Sequence, residues 1–175
     1  MRALSKPLLL KWLNALVRLL PRMLSPRAFL PTGRRSSGLA LPLNGECQAG
    51  HVYLVGAGSG DVELLTLKAA RLLMQADAVV YDRLVGDDVL ALIPAGTERY
   101  YVGKASGHHS VPQAEIGALM VKLALAGKSV VRLKGGDPGV FGRMGEELAA
   151  LASASIPANI VPGITAASAA AASMG

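Results

Sequence analysis

From residue 52 onward, short apolar runs alternate with segments of helical periodicity. The strand-like runs are VYLVGAG, DAVVYD, ERYYVG, SVVRLKG and ANIVPG, in that order. Helical spacing of apolar residues predicts helices over LLTLKAARLLMQA (64–76), GDDVLALI, VPQAEIGALMVKLALAG, GRMGEELAALASA and ITAASAAAASM. Strands that alternate with helices in this way form a mostly parallel sheet with helices on both faces. The pattern therefore predicts an α/β domain built on five strands.

The third predicted helix, VPQAEIGALMVKLALAG, has recognisable end signals. Ser110 and Gln113 have the spacing of a capping box, which places Pro112 in the first helical turn. Gly127 follows the last apolar residues and is typical of a helix C-terminus. These signals predict a helix that begins at about residue 111.

Glycine-rich or polar loops follow every predicted strand. They read GAGSGD, YDR, GKASGHHS, KGGDP and PGIT. Because parallel strands end at one edge of a sheet, and ligands of such folds bind at that edge, these loops predict a single ligand-binding edge.

The first of these loops, residues 56–61, imitates a dinucleotide-binding fingerprint. Its third glycine comes one residue early, and Asp82 comes slightly late for the ribose-binding acid. No G-K-[ST] sequence follows it, so it is not a phosphate-binding P-loop. The spacing disfavours a nicotinamide-dependent dehydrogenase, and a tight turn without a ligand stays open.

The KGGDP loop is richer in chemistry. Gly135 and Gly136 would let a ligand approach the main chain, because neither carries a Cβ atom. Asp137 could accept hydrogen bonds from a ribose or an amino group, while Pro138 would make the corner rigid. In the last loop, Thr165 begins a helix whose first N–H groups face the same edge. A plain turn is the alternative for KGGDP.

Several cations lie in or near these loops, and they would suit a substrate that carries several carboxylates. They are Arg83, Lys104, His109, Arg132, Lys134 and Arg143. Solvated surface charges are the alternative for each. A metal site is not predicted, since the pair His108 and His109 has no third ligand at a recognisable spacing and Cys47 is the only cysteine.

The net charge of +6 does not describe the domain. Residues 1–50 carry a charge of +7, whereas residues 51–175 carry −1, and neither part interleaves aromatic and basic residues as nucleic-acid-binding proteins do. We therefore expect no nucleic-acid partner. The boundary at residue 50 separates a basic N-terminal extension and linker from the domain.

Within the extension, residues 7–24 form an amphipathic helical pattern. Lys11 and Arg18 interrupt its apolar run, so the segment is too charged to span a bilayer. A helix on a membrane surface, an organelle presequence, and a dispensable or partner-packing extension all stay open. The cytoplasm is the expected location.

Four segments in order resemble signatures of the tetrapyrrole methylases, and among them the uroporphyrinogen-III C-methyltransferases. They are VYLVGAGSGDVELLTLKAARLLMQADAVVYDRLV, VGKASGHHSVPQAEI, VVRLKGGDPGVFGRMGEEL and IVPGITAAS. The resemblance extends from about Val52 to the last residue. It implies S-adenosylmethionine-dependent methylation of two ring carbons of uroporphyrinogen III, which gives precorrin-2 for sirohaem and corrinoid synthesis. It also implies a homodimer when the protein is complete.

The same resemblance assigns roles to individual residues. It implies that the methyl donor is bound by Ser59, Gly135, Gly136, Asp137, Val140, Thr165 and Ala166. Asp82 and Lys104 match the proton acceptor and donor. The substrate's carboxylates would be met by Arg83, His109, Lys134 and Arg143.

The sequence also departs from the family pattern. Ser59 and Val62 replace two prolines, Gly139 replaces a bulky residue, and Met144 and Ala169 replace glycines. The family fold continues into a second α/β domain, with the methyl donor between the two. We therefore expect this chain to be the first domain, truncated before the second, with poor activity by itself. Methylation of a later corrin intermediate and a non-catalytic binding role are the alternatives.

Overall fold

The computed structural model of the protein describes residues 45–103 and 111–175. These residues belong to one compact unit, Pro42–Gly175. The strands are β1 (Val52–Gly56), β2 (Ala78–Tyr81), β3 (Glu98–Tyr101), β4 (Val130–Lys134) and β5 (Ala158–Val161). The helices are α1 (Leu67–Gln75), α2 (Asp87–Ala91), α3 (Gln113–Leu125), α4 (Met144–Ser153) and α5 (Ala166–Met174). Within the two described ranges, no helix has the length and apolar character needed to cross a membrane.

The strands form one five-stranded sheet in the order β3-β2-β4-β1-β5. Every pairing is parallel, so all carboxyl ends lie at the same edge. Although β4 follows β3 in the sequence, it lies between β1 and β2 in the sheet. As a result, the loops after β1, β4 and β5 become neighbours. The predicted α/β fold with a five-stranded parallel sheet is confirmed.

Helices cover both faces of the sheet, as predicted. On one face, Val55 and Val79 pack with Leu72 and Leu73 of α1. On the other face, the alternate strand residues, such as Leu54, join Met120 of α3 and Leu151 of α4. Each of these side chains is fully buried, and complete burial of a leucine or valine contributes about 1.5–3 kcal/mol. The two apolar layers fix the sheet and hence the loops at its edge.

The first helix begins later than its periodicity predicts. Residues Val62–Leu64 form a single 3₁₀ turn capped by Asp61. The α-helix starts at Leu67, because the Thr66 hydroxyl accepts a hydrogen bond from the Ala69 N–H and caps it. The prediction of helix from residue 64 was therefore wrong at its start and correct for the buried turns.

The predicted capping box of the long helix is also wrong. Helix α3 begins at Gln113, with Pro112 as its N-cap residue. The Gln113 side chain donates instead to the buried Glu147 carboxylate, at 3.0 Å. At the other end the prediction is confirmed, because Gly127 has a left-handed φ of +81° and its N–H bonds to Ala124.

Candidate functional site

A cleft of about 420 Å³ lies at the carboxyl edge, between the loops that follow β1, β4 and β5. Seven of its lining residues are those predicted for the methyl donor, namely Ser59, Gly135, Gly136, Asp137, Val140, Thr165 and Ala166. The remaining lining residues are Gly58, Leu84, Phe141 and Ala167. Residues from three separate loops thus converge on one space, and their role in binding a ligand stays a prediction.

The loops after β1 and β4 are joined by a two-way backbone bridge. Gly136 N–H donates to the Gly58 carbonyl at 2.7 Å, and Gly58 N–H donates to the Gly136 carbonyl at 3.1 Å. Gly58 has a φ of +69° and Gly136 a φ of +66°. Glycine adopts this left-handed conformation without strain. The main chain of Gly136 therefore serves the fold as well as the cleft.

The end of β1 and the loop after β5 approach each other closely. A Cβ atom on Gly56 would lie 2.6 Å from the Gly163 nitrogen. A Cβ atom on Gly163 would overlap the Gly136 carbonyl oxygen. Because no side chain fits at either position, the two glycines allow the backbones to pack directly.

Asp137 connects the loops after β4 and β5. Its Oδ1 accepts a hydrogen bond from the Gly139 N–H at 2.7 Å, and its Oδ2 accepts one from the Gly163 N–H at 3.0 Å. Each carboxylate oxygen can accept more than one hydrogen bond, so capacity remains for a ligand. The Asp137 carboxylate thus also has a structural role, which is to hold these two loops together, and the sequence did not indicate it.

The amino end of α5 forms one wall of the cleft. Thr165 caps this helix, and its hydroxyl accepts a hydrogen bond from the Ser168 N–H at 3.1 Å. Ala166 and Ala167 follow in the first turn and line the cleft. Their small side chains leave the first helical N–H groups near the space, where the partial positive charge of a helix N-terminus favours polar or anionic groups.

A buried ionic network lies beneath the same edge. Glu147 of α4 is 1% exposed and accepts hydrogen bonds from Arg132 Nε at 3.0 Å and from Lys134 Nζ at 2.9 Å. Arg132 Nη2 donates in turn to Asp82 Oδ2, at 3.1 Å. Within the described residues no buried side-chain polar atom lacks a partner. The network therefore ties β2, β4 and α4 together through satisfied charges.

The structure corrects the role predicted for Lys134. The sequence predicted that it meets a substrate carboxylate, but its ammonium is buried and bonds to both oxygens of Glu147. Burial, followed by the neighbouring Arg132 cation, lowers the pKa of the Lys134 ammonium. Lys134 belongs to the network, because its strand turns the side chain toward α4 rather than toward solvent.

The other predicted site residues take distinct positions. Asp82 follows β2, and its Oδ1 accepts a hydrogen bond from the N–H of Leu84, which lines the cleft. Arg83 is exposed beside it. Arg143 is exposed at the start of α4 and makes two 2.8 Å hydrogen bonds to Glu146. The predicted residues Lys104 and His109, like residues 1–44, lie outside the described residues.

Two features of the site were missed from the sequence. Leu84 lines the cleft from the loop after β2, and its Cβ leaves no room for a side chain at position 135. Glu147 anchors the ionic network, and only the adjacent acids in GEE signalled it. Neither role follows from local spacing.

In the two described ranges, no group of three or more His, Cys, Asp or Glu side chains is arranged to hold a metal ion.

The sequence and the fold both resemble known proteins. Over 137 residues the chain is 58% identical to uroporphyrinogen-III C-methyltransferase of Paracoccus denitrificans, an alignment that covers 78% of this chain. Over 119 residues it is 64% identical to siroheme synthase of Acinetobacter baylyi, covering 68% of this chain. Uroporphyrin-III C-methyl transferase from Thermus thermophilus, complexed with S-adenyl homocysteine, superposes with a TM-score of 0.60 at 53% identity, covering 69% of this chain.

These matches involve only part of each relative. The aligned region is 48% of the Paracoccus protein and 26% of the Acinetobacter protein, and it is 48% of the Thermus chain. The chain therefore spans about half, or less, of the relatives it matches. The family model for tetrapyrrole (corrin/porphyrin) methylases matches residues 51–175, which hold the whole sheet and the cleft. The chain belongs to the tetrapyrrole methylases.

Proposed function

We propose that this chain forms the S-adenosylmethionine-binding part of a uroporphyrinogen-III C-methyltransferase. The observation that carries the proposal is the convergence of seven predicted residues, from three loops, on one cleft. Two relatives support the choice of reaction, because one is named uroporphyrinogen-III C-methyltransferase and another contains S-adenyl homocysteine. The product would be precorrin-2, for sirohaem or corrinoid synthesis.

The residues present fit such a methyl donor. A cleft of about 420 Å³ lies within the usual size range of small-molecule sites. Val140 and Leu84 offer apolar surface to a purine, while Asp137 and Ser59 offer oxygen atoms to hydroxyl or amino groups. The small residues Gly135 and Ala166 leave the cleft open between them.

S-adenosylmethionine, when bound, supplies a methyl group already activated by a sulfonium. The chain then has to hold the donor and the substrate carbon in line, which is the work of the rigid loops around Asp137. The methylated ring must also lose a proton, and Asp82 is our proposed acceptor. Hydrogen bonds from Leu84 N–H and Arg132 fix both of its carboxylate oxygens. The acceptor is therefore oriented before the substrate arrives.

Exposed cations would bind the substrate's carboxylates. Arg143 lies at the start of α4 with its guanidinium oriented by Glu146, and Arg83 is exposed beside Asp82. We assign both to substrate binding, since charge-assisted hydrogen bonds to carboxylates are among the strongest polar contacts. Lys104 as proton donor and His109 as a further substrate contact stay predictions from the sequence.

The arrangement of the complete protein is also a proposal. We infer that residues 1–50 form an extension and that residues 51–175 form the first of two domains, with the donor bound between them. A homodimer, a cytoplasmic location and a surface contact through residues 7–24 stay predictions from the sequence.

Calorimetric titration of the 175-residue chain with S-adenosylhomocysteine tests the proposed function. We expect the wild-type chain to bind. Asp137→Ala should weaken binding about 10- to 100-fold, because it removes a charged hydrogen-bond acceptor and the tie to Gly163. Asp137→Asn should show a smaller loss, since one carbonyl oxygen remains.

The matched control is Asp88→Asn, at an exposed position on α2, which should bind like the wild type. Circular dichroism of each variant establishes that it is folded. A folded wild-type chain that does not bind S-adenosylhomocysteine would contradict the proposal.

A further inference from the structure

Phe141 is the only phenylalanine in the described part of the chain, and it is fully exposed. Its relative exposure is 103%, the highest among the exposed large apolar residues. It nevertheless lines the cleft, together with Val140 just before it. An aromatic ring of this size normally buries most of its surface, so its position at the mouth of the cleft requires a reason.

The backbone holds this ring outward in an unfavourable conformation. Phe141 has a left-handed φ of +53°, and Arg143, two residues later, has a φ of +50°. Gly142 lies between them, where a Cβ atom would overlap the Pro138 carbonyl oxygen. Non-glycine residues in this region are strained, and such strain concentrates at ligand sites. Since the ring is fully exposed, internal packing does not offset the strain.

The surroundings of the ring define the chemistry of an occupant. Leu84 and Val140, the residues that we assign to the purine of the donor, are 71% and 48% exposed. Phe141 extends their apolar surface to the mouth of the cleft, where it forms an apolar shelf. Arg143 follows the shelf, and Glu146 orients its guanidinium. This Arg143–Glu146 pair is exposed, so a competing carboxylate can replace Glu146 at little cost. The shelf suits a flat π-system that carries carboxylates.

We propose that Phe141 is a substrate-contact residue, whose ring stacks on a pyrrole ring of the tetrapyrrole while Arg143 binds an adjacent carboxylate. This inference rests on the proposed function and deepens it. The strained turn then has a purpose, because it presents the ring in the bound orientation before the substrate arrives. The stacked pyrrole would be held beside the cleft that we assign to the methyl donor.

Binding of uroporphyrin III by the 175-residue chain tests the inference. This oxidised porphyrin is stable, keeps the peripheral carboxylates and reports binding by its absorbance. We expect Phe141→Leu to raise the Kd about tenfold, since an aromatic contact is lost while apolar area is partly kept. Phe141→Tyr keeps the ring and should bind within about twofold of the wild type.

Phe141→Gly separates the strain from the contact. Its Kd for uroporphyrin III should be at least as high as that of Phe141→Leu. Its Tm should rise by about 2–4 °C, because glycine adopts a φ of +53° without cost. Leu125→Ala controls for non-specific adsorption, because Leu125 is an exposed apolar residue on α3 outside the cleft lining. It should leave the Kd unchanged.

S-adenosylhomocysteine binding, measured on the same samples, keeps the two proposals distinct. Equal porphyrin affinity of wild type and Phe141→Leu overturns the inference, whether or not S-adenosylhomocysteine binds. Failure of the wild type to bind the porphyrin, with S-adenosylhomocysteine bound, overturns the inference alone. If neither ligand binds the folded wild type, both proposals fall. An equal loss in Leu125→Ala shows adsorption only, which also overturns the inference.

Discussion

Polar side chains link neighbouring strands β2 and β4 at both ends, in two different ways. At the amino ends, the Asp77 carboxylate accepts hydrogen bonds from the N–H and the hydroxyl of Ser129, at 2.8 and 2.7 Å. At the carboxyl ends, Asp82 is bonded to Arg132, which continues to the buried Glu147. The link through Asp77 contains one charged group, whereas the link through Arg132 and Glu147 buries several charged groups.

The difference indicates which end of the sheet is only structural. The Asp77 link satisfies backbone groups where the strands begin, and this is all it needs to do. Burying Glu147 with two cations costs desolvation free energy that apolar residues would avoid. A fold optimised for stability alone would not need the second link. Its position under the cleft is consistent with a role in holding Asp82 and the loops of the site.

Glu147→Gln breaks the carboxyl-end link and should have the largest effect. Neutralising Glu147 leaves Lys134 buried without an anion and leaves Arg132 with Asp82 as its only anionic partner. This should lower the free energy of unfolding by about 3–5 kcal/mol. Urea denaturation at pH 7, followed by circular dichroism, measures this loss. The matched control is the adjacent Glu146→Gln, at an exposed position, which should cost less than about 0.5 kcal/mol. Equal losses in the two variants would contradict a buried network.

Gly163→Ala tests the packing of the loops at the same edge. The added Cβ atom would overlap the Gly136 carbonyl oxygen, and we expect a loss of about 2–3 kcal/mol in the free energy of unfolding. Gly145→Ala is the control, because nothing lies within 4 Å of a Cβ atom there. In helix α4 that change should stabilise the protein by about 0.5–1 kcal/mol. If Gly163→Ala were as stable as the wild type, the close approach would be wrong.

Asp77→Asn breaks the amino-end link and should have the smallest effect. The hydroxyl and then the N–H of Ser129 hold the pKa of the Asp77 carboxyl below its usual value. The folded state therefore favours the ionised form, and this stabilisation is present above about pH 4 and lost as the pH falls further. At pH 7 we expect a loss of about 1 kcal/mol, reduced by solvent exposure.

The measurement for Asp77→Asn is a series of urea denaturation curves between pH 7 and pH 2.5. The difference from the wild type should shrink below about pH 4, where the wild-type carboxylate also becomes protonated. A difference that stayed constant over this range would show that the charge of Asp77 contributes nothing. If Asp77→Asn also leaves ligand binding unchanged, the amino ends of β2 and β4 have a structural role only.

The sequence by itself determined the elements and the edge at which the site lies. Apolar periodicity was sufficient for five strands and five helices, because most of these elements bury apolar residues in the two layers of the core. Parallel strands bring their following loops to one edge, so the residues of KGGDP and PGIT could be assigned to a common site. These inferences need only local pattern and the geometry that all parallel sheets share.

Tertiary structure alone decided which partner each polar side chain has. Lys134 looked like a substrate cation, but insertion of β4 beside β2 and under α4 pairs it with Glu147. Asp137 looked like a free ligand anchor, yet it also holds Gly163 from the next loop. Helix α3 begins at Gln113, whose side chain reaches the same Glu147. Such contacts join residues distant in the chain, and local spacing carries no information about them.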